Sequence, residues 1–246
     1  MRQEKEVHIF RKHTEAYGFL VQLWEQSSSR SIAERGRFAV ALSGGKTPGA
    51  FFKNLSQRPR LTWDTTHIFQ VDERFVSQPD NNSNLSLIKE TLTGKVAIPD
   101  NNIHFITTGR ISPEESARRY EQDLRRFFNN ERLPRFDLVL LGIGDDGHTA
   151  SLFPGSSSLH EKERLVIVVV AKRPPRERIS LTLPVINNAR AVVFLLTGED
   201  KAPVIKKILK EKDSALPAAL VKPVSGTLKF VLDQHAASLF SQKISF

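Results

Sequence analysis

FDLVLLGIGDDGHTAS, Phe136 to Ser151, is the stretch on which the fold turns. Leu138 to Leu141 with Ile143 make a short apolar run rich in β-formers, broken by Gly142 and Gly144. That is the pattern of a central parallel strand. Two acids, a third glycine, and then His148, Thr149 and Ser151 follow. A helix does not start easily before Gly147, so Asp145 to His148 are expected to form a tight loop at the strand's carboxyl end. Open α/β sheets bind ligands there. An imidazole two residues from a carboxylate, on a glycine-hinged loop, has the ingredients of an oriented general base. Alone, the same residues also fit a surface turn.

Working outward, the pattern repeats. Thr14 to Arg35 reads as an amphipathic helix with a break at Ser27 to Ser29, closed by Gly36. Arg37 to Leu42 reads as a strand running into Ser43-Gly44-Gly45-Lys46-Thr47-Pro48. Glycine lets backbone approach a ligand, Thr47 is a candidate cap, and Pro48 suits the first turn of the helix through Phe51, Phe52 and Leu55. Such a turn is a ready anion site, although glycine for packing alone explains it equally well. It is neither a Walker loop nor a dinucleotide fingerprint, so no nucleotide cofactor is expected.

His67 to Val71 is a second strand, ending in Asp72-Glu73-Arg74, three charges that are costly to desolvate unless they pair or serve a site. Asp80 to Asn84 offer caps to a helix through Leu85, Ile88 and Leu92, and Ser112 to Asn130 is a helix capped by Ser112 with Pro113 at its first position. Beyond the central stretch come a strand at Leu165 to Val170, an alternating one at Arg178 to Leu183, a short helix after Pro184, a strand at Ala191 to Leu196 and a last helix through Ile205, Ile208 and Leu209. Alternating strands and helices predict one α/β domain over residues 1–246, a mostly parallel open sheet, Rossmann-like, with helices on both faces.

Composition narrows the function. The 246 residues are 39% hydrophobic and 26% charged, ordinary for a soluble protein, with no cysteine to form a disulfide, thiolate metal site or thiol nucleophile. No apolar run approaches membrane-spanning length, and the charged N-terminus MRQEKEVHIF lacks a signal-peptide core, so a cytoplasmic protein without membrane partners is expected. The net charge of +9 invites a nucleic-acid reading. The densest basic cluster, Arg118, Arg119, Arg125 and Arg126, is interleaved with Glu114, Glu115, Glu121 and Asp123, however. That describes a solvated helix face, and no nucleic-acid motif accompanies it. A positive field also draws in small anions.

Several strand ends together resemble the 6-phosphogluconolactonase family: LSGGKTP at 42–48, DER at 72–74, NNSN at 81–84, LGIGDDGHTASLFPG at 141–155, RISLTLP at 178–184 and LTGEDKA at 196–202. PAALVKPVSG at 217–226 and LDQHAA at 232–237 extend the likeness to most of the chain. Glucosamine-6-phosphate deaminases share the fold and the DGH core but usually carry DEY and follow the histidine with a different segment. Arg74 and Thr149 to Pro154 side with the lactonases. Asp145 stands where that family often has proline, and a second carboxylate there is expected to raise the pKa of its neighbours.

The resemblance implies hydrolysis of a sugar-phosphate lactone without metal or cofactor. His148 would be the general base, Asp146 its orienter, and Arg74, with Asp72 near it, would face the reacting ring or its phosphate. Ser43, Gly44, Gly45, Lys46, Arg178 and Lys201 would be the phosphate and sugar contacts. A monomer or weak homodimer is expected. A deaminase or isomerase of the same fold, or an inactive sugar-phosphate-binding protein, is the alternative.

Overall fold

The computed structural model describes residues 5–58 and 61–240; the outermost residues of the expected 1–246 domain lie outside the described residues. In chain order the elements are β1 (Lys5–Phe10), α1 (His13–Arg35), β2 (Phe38–Leu42), α2 (Lys46–Leu55), β3 (Thr66–Gln70), β4 (Asp72–Arg74), α3 (Asn84–Ile88) with a wider π turn over Lys89–Thr93, β5 (Ile103–His104), α4 (Pro113–Phe127), β6 (Leu138–Leu141), β7 (Val166–Val170), β8 (Glu177–Leu181), α5 (Leu183–Asn187), β9 (Ala191–Leu196), α6 (Ala202–Ile205) and β10 (Thr227–Asp233).

Seven strands form a parallel sheet in the order β1-β10-β9-β6-β2-β3-β5. Alternate residues of each central strand enter two different cores. Ala39, Ala41, Val139, Leu141, Val192 and Phe194 face one, and Phe38, Val40, Leu42, Leu138, Leu140 and Val193 face the other. All of β2 and β6 is buried. Burial on both faces is why these strands read as continuous apolar runs.

From β2 the chain steps outward to β3 and β5, then returns through β6 to the other side for β9 and β10. The sheet therefore reverses direction between β2 and β6. Loops leaving the carboxyl ends of those two strands diverge and leave a crevice, the place such sheets hold a ligand.

Three sequence expectations need correction. DER, the Leu165–Val170 strand and the Arg178–Leu183 strand do not join the parallel sheet; β4, β8 and β7 make a separate antiparallel one. Its Val166, Ile179 and Leu181 enter the same core as β6 and β9. α1 runs unbroken through Ser27–Ser29, because Ser28 is buried and bonds back to the Glu25 carbonyl at 3.1 Å. Thr47 does not cap α2; its hydroxyl is 2.9 Å from that of Thr197. The charged N-terminal stretch contributes β1, which pairs with β10 at the sheet edge. Ser112 caps α4 as expected, accepting from the Glu115 N–H at 3.1 Å with Pro113 next. Among the described residues no helix is long and apolar enough to cross a membrane.

A chain of polar contacts links β3 and β5 to α4. His67 Nδ1 is 3.2 Å from His104 Nε2, and His104 Nδ1 is 2.8 Å from an Asp123 carboxylate oxygen. Burial, then the nearby His104 and Arg37, push the His67 pKa down to about 4. The unfolded chain takes up a proton near the ordinary 6.5, while the folded chain refuses it until about 4. Stability is therefore full above 6.5 and falls as pH drops through that window. In urea unfolding between roughly pH 4 and pH 7, His67→Phe should flatten the pH slope of stability. An unchanged slope would assign the acid sensitivity to other groups.

Candidate active site

All ten residues singled out from the sequence (Ser43, Gly44, Gly45, Lys46, Asp72, Arg74, Asp146, His148, Arg178 and Lys201) line one cleft of about 1250 Å³. It opens at the carboxyl ends of β2, β6 and β9, where the strand order predicts a crevice.

The loop after β6 carries the imidazole. The Gly147 N–H reaches the Gly144 carbonyl at 2.9 Å and the Gly144 N–H reaches the His148 carbonyl at 2.8 Å, closing a tight turn. Gly147 has φ +83°, a conformation that glycine adopts without steric cost. Thr149 anchors the turn by donating to the Gly142 carbonyl at 2.9 Å. Within this frame one Asp146 oxygen accepts from the His148 backbone N–H at 3.1 Å and lies 2.5 Å from ring Nδ1. A carboxylate only accepts, so Nδ1 carries the proton and Nε2 holds the lone pair. Phe153 packs 4.8 Å from the ring, fixing its plane.

Two acids side by side were expected to raise one another's pKa. The structure separates them. Asp145 swings to Lys201 at 2.6 Å. Partial burial raises Asp146, but its bonds from the His148 amide and ring outweigh that and hold it below the ordinary carboxylate value. Asp146 thus stays charged beside the imidazole.

A Cβ at Gly144 would lie 2.1 Å from the His148 ring. Gly144→Ala must therefore push the imidazole off Asp146 while leaving the buried strand untouched. We expect kcat to fall roughly tenfold or more with the melting temperature nearly unchanged. Steady-state kinetics beside thermal melts check this, and an unaffected kcat would detach the ring position from the chemistry.

The loop after β2 faces the imidazole turn. The Ser43 N–H is bound to the Leu140 carbonyl of β6 at 3.0 Å. A Cβ at Gly44 would come within 1.9 Å of the buried Asn84 side-chain oxygen, so backbone and amide lie close here. No side chain caps α2, and its first amides with Lys46 give this end of the cleft a positive field. The Ser43 hydroxyl, buried, has no hydrogen-bond partner.

The third wall is the small sheet. Asp72 accepts from the Ser151 hydroxyl at 2.6 Å and from the Asn84 amide at 3.3 Å. Ser151 is buried and its hydroxyl proton is held by that carboxylate. Glu73 turns away from the cleft and receives the backbone N–H groups of Arg74, Asn84 and Leu85 and the Gln70 amide, all at 2.7–2.8 Å. Burial pushes its pKa up against those bonds. Its work is to tie β4 to the start of α3.

Arg74 and Arg178 stand directly opposite each other across β4 and β8. Burial, then Arg74, lower the Arg178 pKa, and Arg178 Nε has no hydrogen-bond partner. Lys201, by contrast, spends its charge on Asp145 and, at 3.5 Å, Asp200. Across the lining, six cations face four carboxylates, since Lys172 and Arg173 from the β7–β8 turn join the expected set. The surplus suits a dianion. Lys172, Arg173 and Asn84 were missed as cleft residues. The basic pair beside Pro174-Pro175 is the available signal for the first two, and for Asn84 it is the NNSN motif at 81–84, to which the sequence reading gives a capping role but no place in the cleft.

A family described as glucosamine-6-phosphate isomerases/6-phosphogluconolactonase matches residues 12–230. A 6-phosphogluconolactonase of Rattus norvegicus is 38% identical over 96% of this chain and 93% of its own. One from Synechocystis sp. is 42% identical over 85% of this chain and 87% of its own. The crystal structure of 6-phosphogluconolactonase from Thermotoga maritima superposes with a TM-score of 0.82 at 28% identity, over 94% of this chain and all of that one.

Proposed function

The chain belongs to the glucosamine-6-phosphate isomerase/6-phosphogluconolactonase family, and on that footing we propose that His148 is the general base by which it hydrolyses 6-phospho-D-glucono-1,5-lactone. The product is 6-phospho-D-gluconate, and the reaction is the second step of the oxidative pentose phosphate pathway. The observation that carries the residue assignment is the His148 Nδ1–Asp146 contact of 2.5 Å, in a cleft walled by Arg74 and Arg178.

A δ-lactone is an activated ester, so the chemistry asks little of the protein. Nε2 takes a proton from water as its oxygen bonds to the lactone carbonyl carbon. Negative charge moves to the carbonyl oxygen, where cations and amides stabilise it. The tetrahedral intermediate then collapses, the ring C–O bond breaks, and the ring oxygen takes the proton back from Nε2. Asp146 holds the tautomer and stabilises the imidazolium in between, as a third group does in hydrolase triads. Arg178 with Lys46 and the α2 amides hold the phosphate. Arg74 and Asp72 face the reacting ring, and Lys201 acts through Asp145 to hold the histidine loop.

The route is a single displacement. The Ser43 hydroxyl has no hydrogen-bond partner to take its proton, the Ser151 hydroxyl is buried against Asp72, and an activated lactone gains little from an acyl-enzyme. The decisive assay is acid release from freshly made 6-phosphogluconolactone, corrected for spontaneous opening and repeated with a chelator, which should not slow it. No rate above background, with ammonia released from glucosamine 6-phosphate instead, would give the site to the deaminase reading. A cytoplasmic, single-domain protein acting as a monomer or weak homodimer completes the proposal, since a phosphate dianion does not cross membranes unaided.

A further inference from the structure

A second cavity, of about 550 Å³, lies at the opposite end of the sheet. It is built at the amino ends of the central strands: Arg37 precedes β2, Asp137 precedes β6, and Arg190 precedes β9. One strand length, roughly 17 Å, separates it from the catalytic cleft. Arg35 from the end of α1 and Arg135 complete a ring of four guanidiniums, which face Asp137 and Glu131, and Arg35 is also paired with Glu34.

The buried carboxylate is largely spoken for. Asp137 accepts from the Ala39 N–H at 2.9 Å and from Arg35 at 3.0 Å, stitching β2 to β6. Arg190 Nε lies 3.3 Å from the same oxygen as Arg35 but lacks hydrogen-bond geometry. Arg135 donates to the Ser225 hydroxyl at 2.8 Å, and its Nε is buried with no partner. Arg37 lies over the Phe127 ring at 4.0 Å and donates to the Phe127 carbonyl, and it forms no ion pair among the described residues. Burial, then Arg35 and Arg135, depress the Arg190 pKa. Clustered like charges at low dielectric cost stability, and guanidinium forks are the groups that match phosphate oxygens in pairs.

We propose that this cavity is an anion site, separate from the catalytic cleft, that takes a phosphorylated small molecule through Arg37, Arg135 and Arg190. Four guanidiniums against three carboxylates leave surplus positive charge, which calls for an anion. The volume falls within the range of small-molecule pockets and exceeds what a lone phosphate fills. The proposal does not rest on the identity of the lactone.

Inorganic pyrophosphate is the probe, titrated at constant ionic strength while amide hydrogen exchange is followed at residues 129–139 and, separately, at 142–148. The first window should gain protection in the wild-type chain. In Arg135→Gln its midpoint should rise at least about tenfold, with the catalytic window and hydrolytic rate unchanged. Arg135→Lys keeps the charge and loses the fork, so it too should weaken the first response, and it carries the test if glutamine disturbs folding. No protection at 129–139, equal midpoints in all three proteins, or the same protection from sodium chloride at matched ionic strength would overturn the site. Loss of lactone hydrolysis alone would bear only on the catalytic reading.

Discussion

His148→Ala should lower kcat by roughly 10²–10⁴, the usual worth of a positioned general base. That corresponds to about 2.7–5.5 kcal/mol of transition-state stabilisation. KM should move little, because the imidazole meets the water rather than the phosphate. The ring is partly exposed and makes one hydrogen bond, so its removal leaves no buried group unsatisfied and the melting temperature should hold. Added imidazole should restore part of the rate by entering the space the side chain leaves. Asp146→Asn should fall between this variant and wild type. It keeps an acceptor for Nδ1–H and for the His148 amide but loses the charge that stabilises the imidazolium. A His148→Ala enzyme within threefold of wild type, or one that imidazole does not rescue, would remove His148 from the chemistry.

How much of this site was legible follows from where its information lies. Gly44-Gly45, Asp72 and Asp146-Gly147-His148 each sit at the end of an apolar run, so local pattern alone placed them at carboxyl strand ends. The parallel sheet followed for the same reason. Partners distant in sequence were not legible. Nothing local says that Lys201 reaches Asp145, 56 residues away, or that Ser151 reaches Asp72, 79 residues away. Because Asp145 had no visible partner, its charge was assigned to its neighbour, and the inferred pKa rise at Asp146 had the wrong direction.

Elements at the sheet edge were harder still. β1 alternates charged and apolar residues as KEVHIF and is only half covered, so it resembled a polar terminus. It becomes a strand through its pairing with β10, more than two hundred residues later. The run of serines in α1 misled for the converse reason: serine lowers helix propensity locally, but burial of Ser28 and Ser31 against the core overrides it.

The antiparallel sheet is the most consequential of these non-local facts, because it sets Arg178 against Arg74. Like charges directly opposite on neighbouring strands repel. Arg178 is also partly desolvated, and its Nε is unpaired. A residue so placed contributes little to the resting fold, and a phosphate dianion held by Arg178 would relieve both costs at once. Two opposite results are therefore expected from one position. Arg178→Ala should lose about 1.5–3 kcal/mol in kcat/KM on the phosphorylated lactone, a factor of roughly 10–150. Turnover of unphosphorylated gluconolactone should change less than about twofold, since it offers the guanidinium nothing to hold. Arg178→Lys should recover only part of the loss, as an ammonium cannot make the paired contact. Meanwhile Arg178→Met, which keeps the apolar stem and deletes the charge, should melt at or above the wild-type temperature while losing the same catalytic efficiency. Equal losses on both lactones would make Arg178 a support for the ring-facing wall, and a clear drop in the Met variant's melting temperature would mean the arginine pair is tolerated for the fold and not for the substrate.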